Sequence, residues 1–354
     1  MSKFAHTLFS DKEVEICEGS NEDNYIMAIE SSCDETACAI IKNGNEILSS
    51  VVSSQINIHK LYGGVVPEVA SRIHVENISL VIKSALEQAN VSMDDIEAIA
   101  FTQGPGLVGS LHVGVQAAKT IAWLYDKPLV PLHHIMGHIF ANTFVDKLEF
   151  PLMALVVSGG HTEIVYMKDE YSFEIIGETQ DDAIGEAYDK VARVLGLPYP
   201  GGPEIDKLAK EGKANYKLPV PKTENEFDFS FSGLKSAVLQ LIQRETKQNH
   251  EINKADVAYA FQEVALHSLL SKLVKAVGVY QPKQVVLAGG VAANSRLRVV
   301  IQEMMKQYPN IHLTIPPLWC CTDNAAMIGA AGSVAIKYNK TNDLTLAVKP
   351  SMEL

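Results

Sequence analysis

Two stretches of this chain share one plan, and that repetition constrains the fold more than any other feature. YIMAIESSCDETACAIIKNGNEIL (residues 25–48) and PLMALVVSGGHTEIVYMKDEYSFEII (residues 151–176) read alike. Each has an apolar strand, a tight turn of small polar residues, a second strand, and a short turn into a third. The turns are SSCDET (residues 31–36) and SGGHTE (residues 158–163). A hairpin tip built of small polar side chains leaves backbone N–H groups bare, and such a tip can grip an anion such as phosphate. Either stretch alone reads equally well as an ordinary surface hairpin. Its occurrence twice, a lobe's length apart, predicts two related lobes closing on a single nucleotide-like ligand.

Strands and helices alternate along the rest of the chain. After the first hairpin, Val69, Ile73, Ile78, Val81, Ile82 and Leu86 recur at helical spacing behind Pro67. IEAIAFTQ (residues 96–103) reads as a strand, and GPGLVGS leads into a long helix closed by Lys127-Pro128. PLVPLH is a short strand that runs into a histidine-rich helix start. Beyond the second hairpin, ADVAYAFQEVALHSLLSKLVKAV is an amphipathic helix, QVVLAGGVAANSRLRVVIQEMM a strand, glycine turn and helix, IHLTIPPL a last strand, and CTDNAAMIGAAGSVAIKY a last helix. This alternation predicts an α/β class. The expected division is a first lobe at 25–131 plus about 318–345 and a second lobe at 132–317. Residues from Lys213 are polar and mixed, so a helical insertion is expected at about 203–255. Residues 1–24 are expected to be a loose tail. No low-complexity linker separates the lobes, so the cleft between them is expected to be built from several chain crossings.

The net charge of −12 speaks against strong unaided binding to a phosphate backbone, so a nucleic-acid substrate calls for a local basic patch or a partner protein. No apolar run is long enough to cross a bilayer, and the N-terminal segment lacks the apolar stretch of a secretory signal. No membrane association and a cytoplasmic location are therefore expected. Five cysteines without a CxxC fit a reducing compartment. The adjacent Cys320 and Cys321 read as buried small residues rather than metal ligands.

Several patterns carry chemistry. His134 and His138 in HHIMGH lie four apart, so a helix would place both imidazoles on one face, suited to one metal ion. Asp323 in CCTDNAAM, at a helix start after a strand, is the candidate third ligand. Two hydrogen-bonded histidines on an amphipathic helix explain the spacing equally well. The segment is not HExxH: Ile135, Met136 and Gly137 fill the gap, so the general-base glutamate of a zinc protease is missing. In LAGGVAANSRLR, Gly289 and Gly290 allow the backbone to lie against a flat ring or phosphate, with Asn294 placed to read a ribose or base edge. A plain strand-to-helix turn gives the same pattern. DDAIGEAYDK puts Asp182 and Asp189 seven apart on one helical face, followed by Gly201, Gly202 and Asp206. A solvated acidic face is the ordinary alternative. GPGLVGS lacks the GK[ST] ending of a phosphate loop and reads as close helix packing. In SSCDET, Asp34 and Glu35 sit at the hairpin tip, where a carboxylate can act as general base or bind a cation. The GxSxG elbow of a serine nucleophile is absent from that turn.

Together the motifs resemble the Gcp/TsaD family, the universal tRNA threonylcarbamoyladenosine transferases. ESSCDETA, GGVVPEVASR, GPGLVGSL, HHIMGH, LVVSGGHTE, DDAIGEAYDK, YPGGP, FSFSGLKSAV, LAGGVAANSRLR and CTDNAAM stand in family order from about Tyr25 to about Gly332. Ile184 in DDAIGEA, usually a small residue in this family, is a mild departure. The resemblance implies two RNase H-like lobes of the actin, sugar-kinase and Hsp70 superfamily, with a nucleotide and metal site in the cleft between them. It implies transfer of the threonylcarbamoyl group of L-threonylcarbamoyl-adenylate to N6 of the adenosine 3′ of the anticodon in tRNAs reading codons that begin with A. His134, His138 and Asp323 match the family's ligands for iron or zinc. Val156, Val157, Ser158, Gly159, Gly160, Asp189, Gly202, Asp206 and Asn294 match its substrate-binding positions. Asp34 and Glu35 match its polar first hairpin, and a catalytic role for them is an inference from their chemistry. Backbone N–H groups of Ser158, Gly159 and Gly160 are expected to meet developing negative charge. Implied partners are tRNA, an inactive paralogue (TsaB) and a P-loop ATPase (TsaE), with an interface on the helices after Pro67. Three rivals are a small-molecule kinase of the same fold, a metalloprotease, and a non-catalytic nucleotide-gated binding module.

Overall fold

The computed structural model describes residues 23–354. The expected loose tail at 1–24 therefore lies outside the described residues except for Asp23 and Asn24. Those two are tied down: Asp23 pairs with Lys42 at 2.7 Å, and Asn24 O accepts from Asn43 N at 2.8 Å.

In chain order, β1 (Tyr25–Glu30), β2 (Glu35–Lys42) and β3 (Glu46–Ser54) form an antiparallel meander. The short α1 (Ile56–His59) and long α2 (Pro67–Ala89) lead to β4 (Ile96–Gly104), α3 (Val108–Tyr125), β5 (Leu129–His133) and α4 (His134–Phe140). A second meander follows: β6 (Leu152–Val157), β7 (Thr162–Met167) and β8 (Glu174–Glu178). After it come α5 (Ile184–Val194), α6 (Gly201–Ala209), α7 (Ser232–Lys247) and α8 (Lys254–Tyr280). The chain ends with β9 (Gln284–Ala288), α9 (Ser295–Met305), β10 (His312–Thr314), α10 (Leu318–Cys321) and α11 (Ala325–Lys337). Local signals set many of the ends. Proline opens α2 at its first turn, Asn253 caps α8 by accepting from the amides of Ala255 and Asp256, and Asn324 caps α11 through Met327 N.

The chain divides into two compact units. Among the described residues, unit 1 comprises residues 23–55, Val65–Phe144 and Asp323–Leu354; unit 2 comprises Ile56–Gly64 and Val145–Thr322. Their sheets have one topology. Unit 1 runs β3-β2-β1-β4-β5 and unit 2 runs β8-β7-β6-β9-β10: the third, second, first, fourth and fifth strand of each. In both, the first strand pairs antiparallel with the hairpin and parallel with the fourth strand. The repeated sequence plan is thus a repeated sheet, and the α/β reading holds.

Unit 1 packs Met27, Ile29, Ile40, Ile99 and Phe101 against Ile78, Val81 and Val115 of its helices. In unit 2, Leu155, Val157, Ile164 and Leu287 meet Tyr188, Phe261 and Leu269. Each fully buried side chain of this size contributes about 1.5–3 kcal/mol over leaving it in water.

The division differs from the expected lobes in three places. Residues 132–144 stay in unit 1, where α4 packs on α11. Gly137 makes that approach possible, since a Cβ there would lie 2.7 Å from Ile328 Cδ1. Residues 318–322 go with unit 2, where α10 packs on the Gly290–Ala293 turn. Residues 56–64 also go with unit 2, where Gly63 O accepts from the Arg193 guanidinium at 2.6 Å. The stretch expected as an insertion is no mere appendage: Phe229, Phe231, Leu234, Val238 and Leu241 sit in the unit 2 core. Its polar composition hid five inward-facing residues spread over thirteen positions.

Candidate functional site

In sheets of this kind, ligand sites form beyond the carboxyl ends of the parallel strands. In unit 1 those ends carry Glu30 on β1, Thr102 on β4 and His133 on β5, with His134 opening α4. The Nε2 atoms of His134 and His138 lie 3.6 and 3.1 Å from Asp323 Oδ1. Among the described residues these three form a group whose ligand atoms all fall within 4.8 Å of one another. Metal–ligand bonds of about 2.0–2.2 Å at angles near 90–110° separate ligand atoms by about 3.0–3.5 Å, so the two separations from Asp323 suit one small cation.

Three further observations fit a cation. Both ring nitrogens of His138 are buried without a hydrogen-bond partner; its Nε2 is close to Asp323 yet not aligned to bond it, as when two ligand atoms aim at a common third point. His134 Nδ1 lies 3.1 Å from Glu30 Oε2 and 3.2 Å from Ser32 Oγ, which leaves Nε2 to face Asp323. A carboxylate behind a histidine in this way fixes its tautomer and makes it a better ligand. Charge agrees as well. Burial alone would lower the His134 pKa, but the Asp323 and Glu30 carboxylates hold it up at about 9. For Glu30, burial alone would raise the pKa, yet the His134 imidazole brings it below the usual carboxylate value. Two carboxylates around the buried His134 imidazole favour a positive charge there, whether a proton or a metal ion.

The SSCDET turn is built around this site. Ser31 Oγ donates to Ser110 O at 2.9 Å, Leu107 N donates to Ser32 O at 2.8 Å, and Glu30 accepts from Ser32 N and from Thr102 Oγ1. GPGLVGS is therefore packing for the turn. Glu35 accepts from Ser54 Oγ at 2.8 Å through Oε1, while its buried Oε2 has no partner. Burial pushes the Glu35 carboxyl up to about 8. Asp34 is half-buried beside it, and its carbonyl accepts from Gln55 N at 3.1 Å.

In unit 2 the expected substrate residues gather at the matching strand ends. Val156 and Val157 close β6 and are fully buried, so only their backbone can face a ligand. Gly159 and Gly160 are exposed, with nothing within 4 Å of where a Cβ would stand. Ser158 Oγ accepts from Gly160 N at 3.3 Å and from His161 N at 3.0 Å, and Ser158 N donates to His161 O at 2.8 Å. The expected trio of amide donors thus contracts to Gly159, because the Ser158 and Gly160 amides are spent within the turn. Gly289, with φ +90, is held flush: a Cβ would come 2.4 Å from Val157 O.

Asp189 Oδ1 accepts from Gly201 N at 2.7 Å at the start of α6, and burial raises its pKa. Asp206 accepts from Ser295 N and Oγ at 3.2 and 3.0 Å. Gly202 leaves open space around it. Asn294, expected to read a ribose or base edge, holds its side chain in bonds within the protein. Its Oδ1 caps α9 through Leu297 N at 2.8 Å, and its Nδ2 donates to Gln262 Oε1 at 2.9 Å. Asp182 does not share a helical face with Asp189, because α5 starts at Ile184; it pairs instead with Lys190 at 2.6 Å. Asp181 accepts from Ser230 Oγ, Phe231 N and Ser232 N and Oγ, which accounts for the first two serines of FSFSGLKSAV. Cys320 and Cys321 are buried and outside the ligand trio.

Sequence reasoning missed Glu30, His74, Gln262 and Tyr188. His74 Nε2 donates to Cys33 O at 2.9 Å and its Nδ1 accepts from Thr36 Oγ1 at 2.7 Å, tying α2 to the SSCDET turn. A histidine on the buried stripe of α2 was the only available signal.

A model of the family TsaD, tRNA N6-adenosine threonylcarbamoyltransferase, matches residues 46–330. The chain is 55% identical over 335 residues to the tRNA N6-adenosine threonylcarbamoyltransferase of Geobacillus kaustophilus, covering 94% of this chain and 98% of that protein. It is 55% identical over 334 residues to the protein of that name in Bacillus anthracis, covering 94% and 97%. Among solved structures, HypF of T. kodakarensis aligns at TM-score 0.61 with 14% identity, over 89% of this chain and 48% of that one. The (R)-2-hydroxyglutaryl-CoA dehydratase component A of Acidaminococcus fermentans aligns at TM-score 0.53 with 16% identity, over 89% and 99%. These structural likenesses carry the α/β fold alone. The sequence likenesses carry more: this chain belongs to the tRNA N6-adenosine threonylcarbamoyltransferase (TsaD) family.

Proposed function

We propose that this chain transfers the threonylcarbamoyl group of L-threonylcarbamoyl-adenylate to N6 of the adenosine 3′ of the anticodon in tRNAs reading codons that begin with A. N6 adds to the carbamoyl carbon, the bond from that carbon to the phosphate oxygen breaks, AMP leaves, and N6 gives up one proton. The observation that carries this reading is the His134–His138–Asp323 convergence in a chain 55% identical to relatives of that name.

His134, His138 and Asp323 would hold one divalent ion, Fe2+ first and Zn2+ second; two histidines and one carboxylate suit both and leave positions open. When bound, the ion supplies Lewis acidity to a phosphate or carbamoyl oxygen. Glu30 fixes the His134 ring. Asp34 and Glu35 handle the proton: a carboxyl at about 8 exchanges readily near neutral pH. On unit 2, the Gly159 amide and the exposed tip meet the phosphate, while Asp189, Gly202 and Asp206 hold the nucleoside and Asn294 braces the turn beside them. An exocyclic adenine amine is a weak nucleophile, so positioning and departure of AMP dominate the barrier.

The substrate tRNA, the paralogue TsaB and the ATPase TsaE are the proposed partners, in the cytoplasm. What supports a protein partner is apolar surface on unit 1: Val75 and Leu80 on α2 are each 64% exposed, and Trp123 on α3 is 67% exposed. Among the described residues no helix is long and apolar enough to cross a membrane.

The test is mass spectrometry of tRNA nucleosides from cells depleted of this protein. Threonylcarbamoyladenosine should disappear, return with the unaltered gene, and stay absent with His138→Ala. Undiminished modification in depleted cells overturns the reading.

A further inference from the structure

The first histidine of HHIMGH has no place among the ligands, and the last residues of the chain have no place in the chemistry above. They meet each other. His133 is almost fully buried, and its Nε2 lies 3.0 Å from Met352 O while its Nδ1 lies 3.1 Å from Ile135 N. A carbonyl can only accept and an amide can only donate, so the ring is the neutral tautomer with its proton on Nε2. His133 therefore does two things at once. It caps the N-terminus of α4, the helix that carries His134 and His138, and it anchors that cap to the C-terminal segment.

The same segment grips the neighbouring strand end. Ala347 O accepts from Gln103 Nε2 at 2.6 Å, Gln103 O accepts from Lys349 N at 2.9 Å, and Pro350 O accepts from Gly106 N at 3.1 Å. It lies flush there because residue 104 is glycine; a Cβ would stand 1.8 Å from Lys349 O. Six residues thus span the ends of β4 and β5, where Thr102 holds Glu30 and Glu30 holds His134. A seven-residue helix has little stability of its own, so its position depends on its cap and its packing.

We infer that the C-terminal segment at residues 347–352, acting through His133, sets the metal affinity of the His134/His138/Asp323 site, with His133 a positioning residue and not a ligand. This rests on the metal-site reading above. Removing Met352 O leaves Nε2–H of a buried imidazole without an acceptor and frees the cap to tilt, which moves both ligands together. Loss of a direct partner of a metal ligand costs roughly 10- to 100-fold in affinity, and this brace, one step further out, is expected at the lower end of that range.

The experiment is titration of the metal-free, full-length chain with cobalt(II), followed by its visible d–d absorption. It is run beside a chain ending at Pro350 and beside His133→Asn, which keeps an acceptor for Ile135 N but cannot reach Met352. Circular dichroism checks that each variant is folded. The expected result is cobalt binding weakened roughly 10-fold or more in both variants, with altered band positions that a mere loss of stability would not produce. Should the shortened chain fail to fold, His133→Asn decides the matter by itself. Unchanged affinity and an unchanged spectrum in the folded variants overturn the brace and leave the metal site standing. Absence of cobalt binding by the unaltered chain overturns both.

Discussion

In unit 1 the tip of the hairpin is packed shut: Ser31 and Ser32 are buried, bonded to Ser110 and facing the imidazole of His134. In unit 2 the matching tip stands open, with Gly159 and Gly160 exposed and empty space where their side chains would be. The two sheets have one strand order, so topology does not account for the difference. The residues after the first strand do. A serine pair flanked by Glu30 can tie a turn to a neighbouring loop and a histidine; a glycine pair can only leave room. One hairpin is scaffold around the His134, His138 and Asp323 group, and the other leaves the bare backbone that the proposed phosphate contact needs. One device survives in both. Glu35 and Glu163, near the starts of the second strands, each keep a buried oxygen without a hydrogen-bond partner, and burial lifts their pKa values to about 8 and about 7.

The largest expected effect breaks the closed side. His138→Ala removes a ligand and should cut transfer on the order of 10³-fold, the several kcal/mol that a Lewis acid contributes, in a single-turnover assay with the adenylate. Glu30→Gln leaves the ligands in place but weakens the hold on His134. Chelator competition should show metal affinity down roughly 10- to 100-fold. If Glu30→Gln binds metal as before, the carboxylate behind His134 is mere packing.

On the open side, two glycines separate fold from binding. Gly289→Ala forces a side chain into positive φ against Val157 O, and denaturant unfolding should show a loss of about 1–3 kcal/mol. Gly160→Ala meets nothing, so its unfolding curve should be unchanged while KM for the adenylate rises several-fold. A Gly160→Ala protein with unaltered KM would remove the anion-gripping role from this turn.

The smallest effect concerns the shared carboxyl. Glu163 is raised to about 7 by burial and by the neighbouring Glu178, so the folded state holds its proton more tightly than the unfolded chain does. Stability conferred by that proton is therefore full below the unfolded value near 4.5, falls as pH rises through about 7, and then levels off. Glu163→Gln should flatten that slope and gain roughly 1–2 kcal/mol at pH 8 relative to the parent. Parallel stability–pH curves for the two proteins would show that Glu163 ionises as it does in water.

How much of this could be read from the chain depends on range. Strand alternation and small polar tips are local, so the doubled meander was legible before any coordinates. The four-residue step from His134 to His138 is also local, and α4 is the helix that it requires. Glu30 was not legible, because its partner lies 104 residues away and a glutamate ending an apolar strand looks like a surface residue. The bonds of Asn294 were not legible for the same reason: its amide faces Gln262, 32 residues back. The start of α5 was placed too early because an acidic run reads as a helix face. In the fold Asp181 is spent on the serine that opens α7.

The most direct measurement of the central claim is transfer by purified protein. The full chain, with the partner proteins it needs, is given L-threonylcarbamoyl-adenylate and unmodified tRNA, and the tRNA is digested and its nucleosides weighed by mass spectrometry. The account predicts threonylcarbamoyladenosine and one AMP released per adenosine modified, with neither formed by a folded Asp323→Ala protein or after removal of metal. Modification at the parent rate by Asp323→Ala, or by metal-free protein, would contradict it.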